Sequence, residues 1–261
     1  MDILSSFIYL ACGILLFTRL IRPDTATTLK KAYLLVLIAI AVILHTVVLS
    51  GALFTPQGLD INFFNVSSLI TWLVALLLLL AAITMPVESL GIIVFPAAAL
   101  ALSFEGTPHL LDYKTATGLV THILFSILAY SLLSIAALQA GLLYVQDLLL
   151  HNQRPGGFIR ALPPLETMET LLFRIIGLGF ILLSAALITG GIYLEDMFAQ
   201  HLVHKTVLSI VAWTVFAILL WGRWQFGWRG RTAIRWTISG FFILMLAYFG
   251  SKFVIELVLH R

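Results

Sequence analysis

Long apolar runs dominate this sequence and leave little choice of fold. A helix needs about 20 consecutive apolar residues to cross the roughly 30 Å hydrocarbon core of a bilayer. Eight runs qualify as candidates, at about 3–21, 32–54, 63–83, 90–104, 118–150, 171–194, 203–221 and 236–257. The fourth is short and contains Pro96, and the fifth is long enough to pass beyond the membrane surface. Continuous leucine- and alanine-rich runs exclude a β-barrel, whose strands alternate over about ten residues. With 61% hydrophobic and 10% charged residues, against about 25% charged in soluble domains, the chain reads as an all-α integral membrane protein. The expected architecture is a bundle of about eight transmembrane helices forming a single transmembrane domain over 1–261, without a soluble domain.

Charge sets the expected orientation. With the N-terminus outside, eleven basic residues fall on the inner side: Arg19, Arg22, Lys30, Lys31, Arg154, Arg160, Arg174, Arg223, Arg229, Arg231 and Arg235. Four fall outside: Lys114, Lys205, Lys252 and Arg261. This bias follows the positive-inside rule and puts both termini on the outer, periplasmic side of a bacterial inner membrane. The start of the chain lacks a basic stretch before its apolar run, so it reads as a retained first span rather than a signal peptide. The single cysteine, Cys12, excludes an intramolecular disulfide and a CxxC redox pair.

The net charge of +3 is accounted for by inner-face basic residues and implies no nucleic acid. Trp221, Trp224, Phe226 and Trp228 interleave with Arg223, Arg229 and Arg231 in a segment joining two spans, which reads as an interfacial anchor. No phosphate-cradling glycine loop, HExxH or supported Ser/His/Asp set occurs, and without a complete catalytic constellation the chain reads as a non-enzyme.

Ionisable and polar residues inside spans are costly unless paired, so they are the informative ones. His122, Ser126, Tyr130 and Ser134 recur at steps of four and lie along one stripe of the fifth span. This stripe is either a histidine ligand with supporting hydroxyls or an interhelical hydrogen-bond seam. His45 lies mid-span, about 13 Å from the helix end at 1.5 Å per residue, as a ligand or as an imidazole bonded to another span. His201 and His204 stand beside Lys205 at the mouth of the seventh span, where a histidine costs little. Asn65, Ser68 and Trp72 would line an outward cavity or, alternatively, Asn65 or Ser67 would cap the third span. Glu88 would pair with an inner arginine, and Arg174 would extend toward the membrane surface. Gly177, Gly179, Gly190 and Gly191 read as helix-packing positions.

Several stretches, in order, carry a resemblance. They are HILFSILAY at 122–130, PPLETMETLLFR at 163–174, GLGF at 177–180, ITG at 188–190, WGR at 221–223, GWRG at 227–230 and AYFG at 247–250. This set resembles the cytochrome c assembly membrane proteins of the CcsA/ResC/CcmC type, in particular their YpjD-like inner-membrane branch. The resemblance is clearest over 119–250. It implies a multi-span handler of haem that presents the cofactor at the outer face, cradled by a tryptophan-rich loop and ligated by flanking histidines. His122 resembles the first of those histidines, and Lys205 the lysine that follows the loop. The loop itself, EDMFAQHLVH at 195–204, has no tryptophan, Trp221 stands where haem-channel members carry a transmembrane histidine, and His260 is near the second external histidine. A retained haem site would therefore use His122 as iron ligand with His45, His201, His204 or His260, with Ser126, Tyr130 and Lys205 nearby. Two other readings stay open. One is an outward polar cavity, lined by His45, Asn65, His122, Tyr130 and Lys205, that binds another small molecule or ion. The other is a ligand-free partner of another membrane protein. The expected surroundings are the lipid bilayer and other cytochrome c biogenesis or membrane proteins.

Overall fold

The computed structural model describes residues 1–21, 31–85, 87–104, 106, 108, 110–111, 117–151, 162–193 and 203–250. Among these residues the chain forms eight α-helices: α1 (Asp2–Ile21), α2 (Lys31–Leu53), α3 (Phe63–Thr84), α4 (Gly91–Ala101), α5 (Thr117–His151), α6 (Leu165–Tyr193), α7 (Val203–Phe226) and α8 (Arg231–Met245). A 3₁₀ turn (Glu88–Leu90) precedes α4, and a π-helical turn (Leu246–Gly250) extends α8. Seven of the helices are long and apolar enough to cross a membrane; α4 is not. Three very short strands, β1 (Phe54–Thr55), β2 (Gly58–Asp60) and β3 (Leu110–Leu111), form an antiparallel sheet in the order β1-β2-β3. Strands of two or three residues are too short to show periodicity, so the all-α expectation did not include them.

The chain divides into two compact units, one of residues 1–111 with 146–164 and the other of residues 112–145 with 165–261. In the first, α1 packs on α4 and α2, and α2 and α4 pack on α3. The fourth span was expected over 90–104, but the helix covers only Gly91–Ala101, about 16 Å at 1.5 Å per residue. Pro96 inside it has no N–H for the helix ladder. Its ring compensates by packing on α1, where a Cβ added at Gly13 would come within 3.2 Å of Pro96 Cγ and Cδ.

Despite its length, α4 joins the two ends of this unit. At one end Lys31, which opens α2, pairs with Glu88 at 2.5 Å. At the other, Leu59 faces Leu111 and Asp60 faces Leu110 across β2 and β3. Glu88 and Leu110 therefore lie at opposite ends of the unit. Glu88 thus takes a lysine of the same unit rather than an arginine. With Lys31 exposed and Glu88 half-buried, such a pair is worth about 1 kcal/mol or less, so it marks the end of the unit more than it holds it.

In the second unit α7 packs on α6 and α8. Its helices outrun the apolar runs. α6 starts at Leu165 rather than near 171, and α7 continues to Phe226 rather than 221. The basic aromatic segment read as a loop over 222–235 is therefore mostly helix, and the connection is only 227–230. Gly227, at φ 65°, closes α7 by donating its N–H to Arg223 O at 3.1 Å, a left-handed cap that suits glycine. Gly230, at φ 57°, opens α8, and its N–H donates to the Glu169 carboxylate of α6. The Trp228 indole lies on the face of Gly222.

Small residues matter only where helices touch. A Cβ at Gly179 would fall within 2.8 Å of Leu133 Cδ2, whereas Gly177 has nothing within 4 Å. Gly190 is buried and Gly191 exposed. Close packing is therefore seen at Gly179 and not at Gly177.

Gly222→Ala should destabilise the protein by about 1–3 kcal/mol, because the new methyl overlaps the Trp228 ring. Gly177→Ala should shift stability by under about 1 kcal/mol. Thermal unfolding in detergent micelles of the two variants beside the parent checks both.

Candidate functional site

His45 is completely buried in α2. Its Nδ1 lies 3.3 Å from Tyr9 Oη of α1, and its Nε2 lies 2.9 Å from Ser68 Oγ of α3. Whichever nitrogen carries the proton, one bond is donated by the ring and the other accepted, so a neutral imidazole is satisfied at both positions. The Tyr9 ring meets the imidazole edge-on, at 5.8 Å and 82°, and stacks on Phe95 of α4 at 5.8 Å and 22°. Four helices therefore converge on this histidine.

The polar entrance of α3 lies in the same unit. Asn62 caps the helix: its Oδ1 accepts the Asn65 N–H at 2.8 Å. The expected cap, Asn65 or Ser67, is thus displaced by three residues or more. Asn65 Nδ2 donates instead to Asp60 O at 3.1 Å, and Ser67 Oγ donates to Phe63 O at 2.6 Å. Asp60 accepts from Asn62 through both carboxylate oxygens. Trp72 Nε1 donates to Thr46 Oγ1 at 2.9 Å, tying α3 to α2.

The second unit holds the stripe on α5. His122 Nδ1 lies 2.8 Å from Ala186 O of α6. A carbonyl only accepts, so Nδ1 carries the proton, and the Nε2 lone pair is left without a protein partner among the described residues. One turn on, Ser126 is half-buried. Tyr130 is buried, and its hydroxyl donates to Leu244 O at 2.7 Å, just before the π turn of α8. Its ring lies 5.6 Å from Tyr248 and 6.4 Å from Phe249 of that turn. Ser134 Oγ instead donates to Tyr130 O of its own helix. The stripe is thus a seam to α6 and α8 at His122 and Tyr130.

His204 is exposed and Lys205 half-buried in the first turn of α7. Below them, Trp213 stacks on Phe180 of α6 at 5.3 Å and donates Nε1–H to Ser184 Oγ at 2.8 Å. His109, His201, His260 and most of the tryptophan-free stretch 195–204 lie outside the described residues. Sequence reasoning did not find Tyr9 or the Ala186 carbonyl, because neither carries a local signal. Arg174 is exposed. Among the described residues no three His, Cys, Asp or Glu side chains cluster as a metal site.

Seven long apolar helices with polar side chains bonded inward define a multi-pass membrane protein. The profile of the cytochrome c assembly protein family matches residues 33–259, and the chain belongs to that family. It is similar to the inner membrane protein YpjD of Escherichia coli, 33% identical over 227 residues that cover 84% of this chain and 85% of that protein. It is also similar to the cytochrome c biogenesis protein CcsA of Prochlorococcus marinus, 27% identical over 201 residues, covering 67% of this chain and 62% of that protein. No solved structure matches the chain. The protein is a multi-pass inner-membrane member of this family.

Replacing His45 by leucine should cost about 1–3 kcal/mol, since it removes two interhelical bonds and leaves Tyr9 and Ser68 unpaired in the core. Ser67→Ala, whose hydroxyl serves only its own helix, should cost under about 1 kcal/mol. Unfolding midpoints in one detergent separate the two.

Proposed function

We propose that this protein handles haem in cytochrome c assembly, with His122 as an axial ligand to the iron. The observation that carries this reading is the His122–Ala186 hydrogen bond. It holds the imidazole in one tautomer and orientation through Nδ1 and leaves the Nε2 lone pair for a metal, as second-sphere carbonyls do for ligating histidines. A neutral imidazole is an ordinary axial ligand, so this donor fits haem. When bound, haem would supply the iron that this imidazole ligates. His204, exposed and in the same unit, would provide the second imidazole, with Lys205 beside it. Tyr130 would hold the wall below His122 through its bond to Leu244. His45 has both nitrogens engaged by Tyr9 and Ser68, which supports a structural role for it instead.

The tryptophan-free stretch 195–204 favours binding or relay over covalent attachment of haem to an apocytochrome, so the role assigned is non-enzymatic. The orientation proposed is both termini outside, with His122 near the outer face and the 227–230 hairpin inside. The eleven-to-four partition of basic residues supports this.

Purified in detergent after haem-replete expression, the protein should show a Soret band, and His122→Ala should remove most of it. A colourless, well-folded parent protein sinks the reading. For orientation, Arg229→Cys in a Cys12→Ser background should react with an impermeant maleimide only after the membrane is opened. Labelling of intact cells would reverse the assignment.

A further inference from the structure

The arginine-bearing hairpin between α7 and α8 is the feature that the haem reading leaves unused. The stretch 221–236 contains four arginines and no acidic residue. Two have internal work. Arg223 donates Nη1–H to Trp228 O at 3.1 Å and lies 4.6 Å over the Phe173 ring, and Arg231 has a partner of its own. Arg229 and Arg235 are exposed and take no partner among the described residues. Glu169 is the carboxylate that reaches the hairpin, and it is spent on the Gly230 N–H. The Gly230 N–H is thus taken, and the attraction for an anion is assigned to the arginine side chains.

What lies beyond the charges identifies the partner. Arg231, Arg235, Ile238, Phe242 and Leu246 are spaced by three or four residues, so they form one stripe of α8 and its π turn. All of them are exposed; Phe242 is 63% and Leu246 44% exposed. The stripe is cationic at the hairpin and apolar for the next three turns. Trp224, 81% exposed at the end of α7, is of the kind that settles at headgroup level. A soluble phosphate would use only the charged end, and the apolar remainder has the length and chemistry of an acyl chain.

The geometry points to a binding site for an anionic glycerophospholipid, its phosphate held by Arg229 and Arg235 and one acyl chain lying along Ile238, Phe242 and Leu246. The site is independent of haem.

Native mass spectrometry of the detergent-solubilised protein tests this, with phosphatidylglycerol and phosphatidylcholine of equal chain length as probes. The parent should retain phosphatidylglycerol in preference to phosphatidylcholine. Each arginine near a lipid phosphate is worth about a further factor of five, so Arg229→Gln with Arg235→Gln should weaken phosphatidylglycerol binding about 30-fold. The variant's melting temperature without added lipid should be unchanged, since both side chains are exposed. Equal retention of the two lipids overturns the proposal, as does undiminished phosphatidylglycerol binding by the double variant. Displacement of the lipid by millimolar inorganic phosphate would make this a soluble-anion site and overturn it as well.

Discussion

Within the hydrocarbon layer no water is available to a hydroxyl, an imidazole or an indole, and every such group must find its partner in the protein. The chain meets this demand in two ways, by bonds within a helix and by bonds between helices. Many short hydroxyls turn back on their own helix: Ser67, Ser131, Ser134, Ser184, Thr189, Thr214 and Thr237 each donate to the carbonyl four residues earlier, whereas Ser5 and Ser6 of α1 donate across to Ala41 O of α2 and Ala99 O of α4. Longer or more rigid groups cannot fold back and bond across helices: His45 to α1 and α3, Trp72 to α2, His122 and Trp213 to α6, Tyr130 to α8. These few cross-links fix which helix faces which inside each unit. Such bonds are individually modest, about 0.6 kcal/mol on average where measured in membrane bundles. Their weight is in specificity, because apolar surfaces packed in lipid do not by themselves choose a register.

His45, buried, and His122, half-buried, show how the same residue type acquires different surroundings. Between Tyr9 and Ser68 the His45 ring is closed at both nitrogens, and it serves as the hub of the first unit. The Ala186 carbonyl takes one nitrogen of His122 and leaves the other. This asymmetry is the ground on which His122, and not His45, is proposed as the ligand. A histidine bonded on one side by a carbonyl is oriented without being consumed.

The helices were legible because apolar length is a local property of the sequence. Six of the helix starts were placed within one residue, among them α5, which was expected over 118–150 and covers Thr117–His151. Errors arose where polar residues continue a helix beyond the apolar layer, as with Glu166 to Thr170 at the start of α6 and Arg223 to Phe226 at the end of α7. Charge signals the edge of the membrane but does not end a helix; Gly227, in the left-handed region, does. The stripe from His122 to Ser134 was legible as one face, since spacing alone defines it. Its partition between cross-helix and same-helix bonds was not, because that depends on which backbone carbonyls of α6 and α8 come within reach. The same holds for Lys31 opposite Glu88, and for Pro96 against Gly13.

The brevity of the 227–230 connection has a consequence for how the chain enters the bilayer. Four residues cannot carry a change of side, and the Gly230–Glu169 bond draws the turn against α6. The two helices flanking the turn therefore insert as a pair, with their arginines held back at one surface. No reshuffling of charge elsewhere can flip one helix without its partner. Topogenesis of this half of the protein thus has a single outcome to choose, the side on which the hairpin stays.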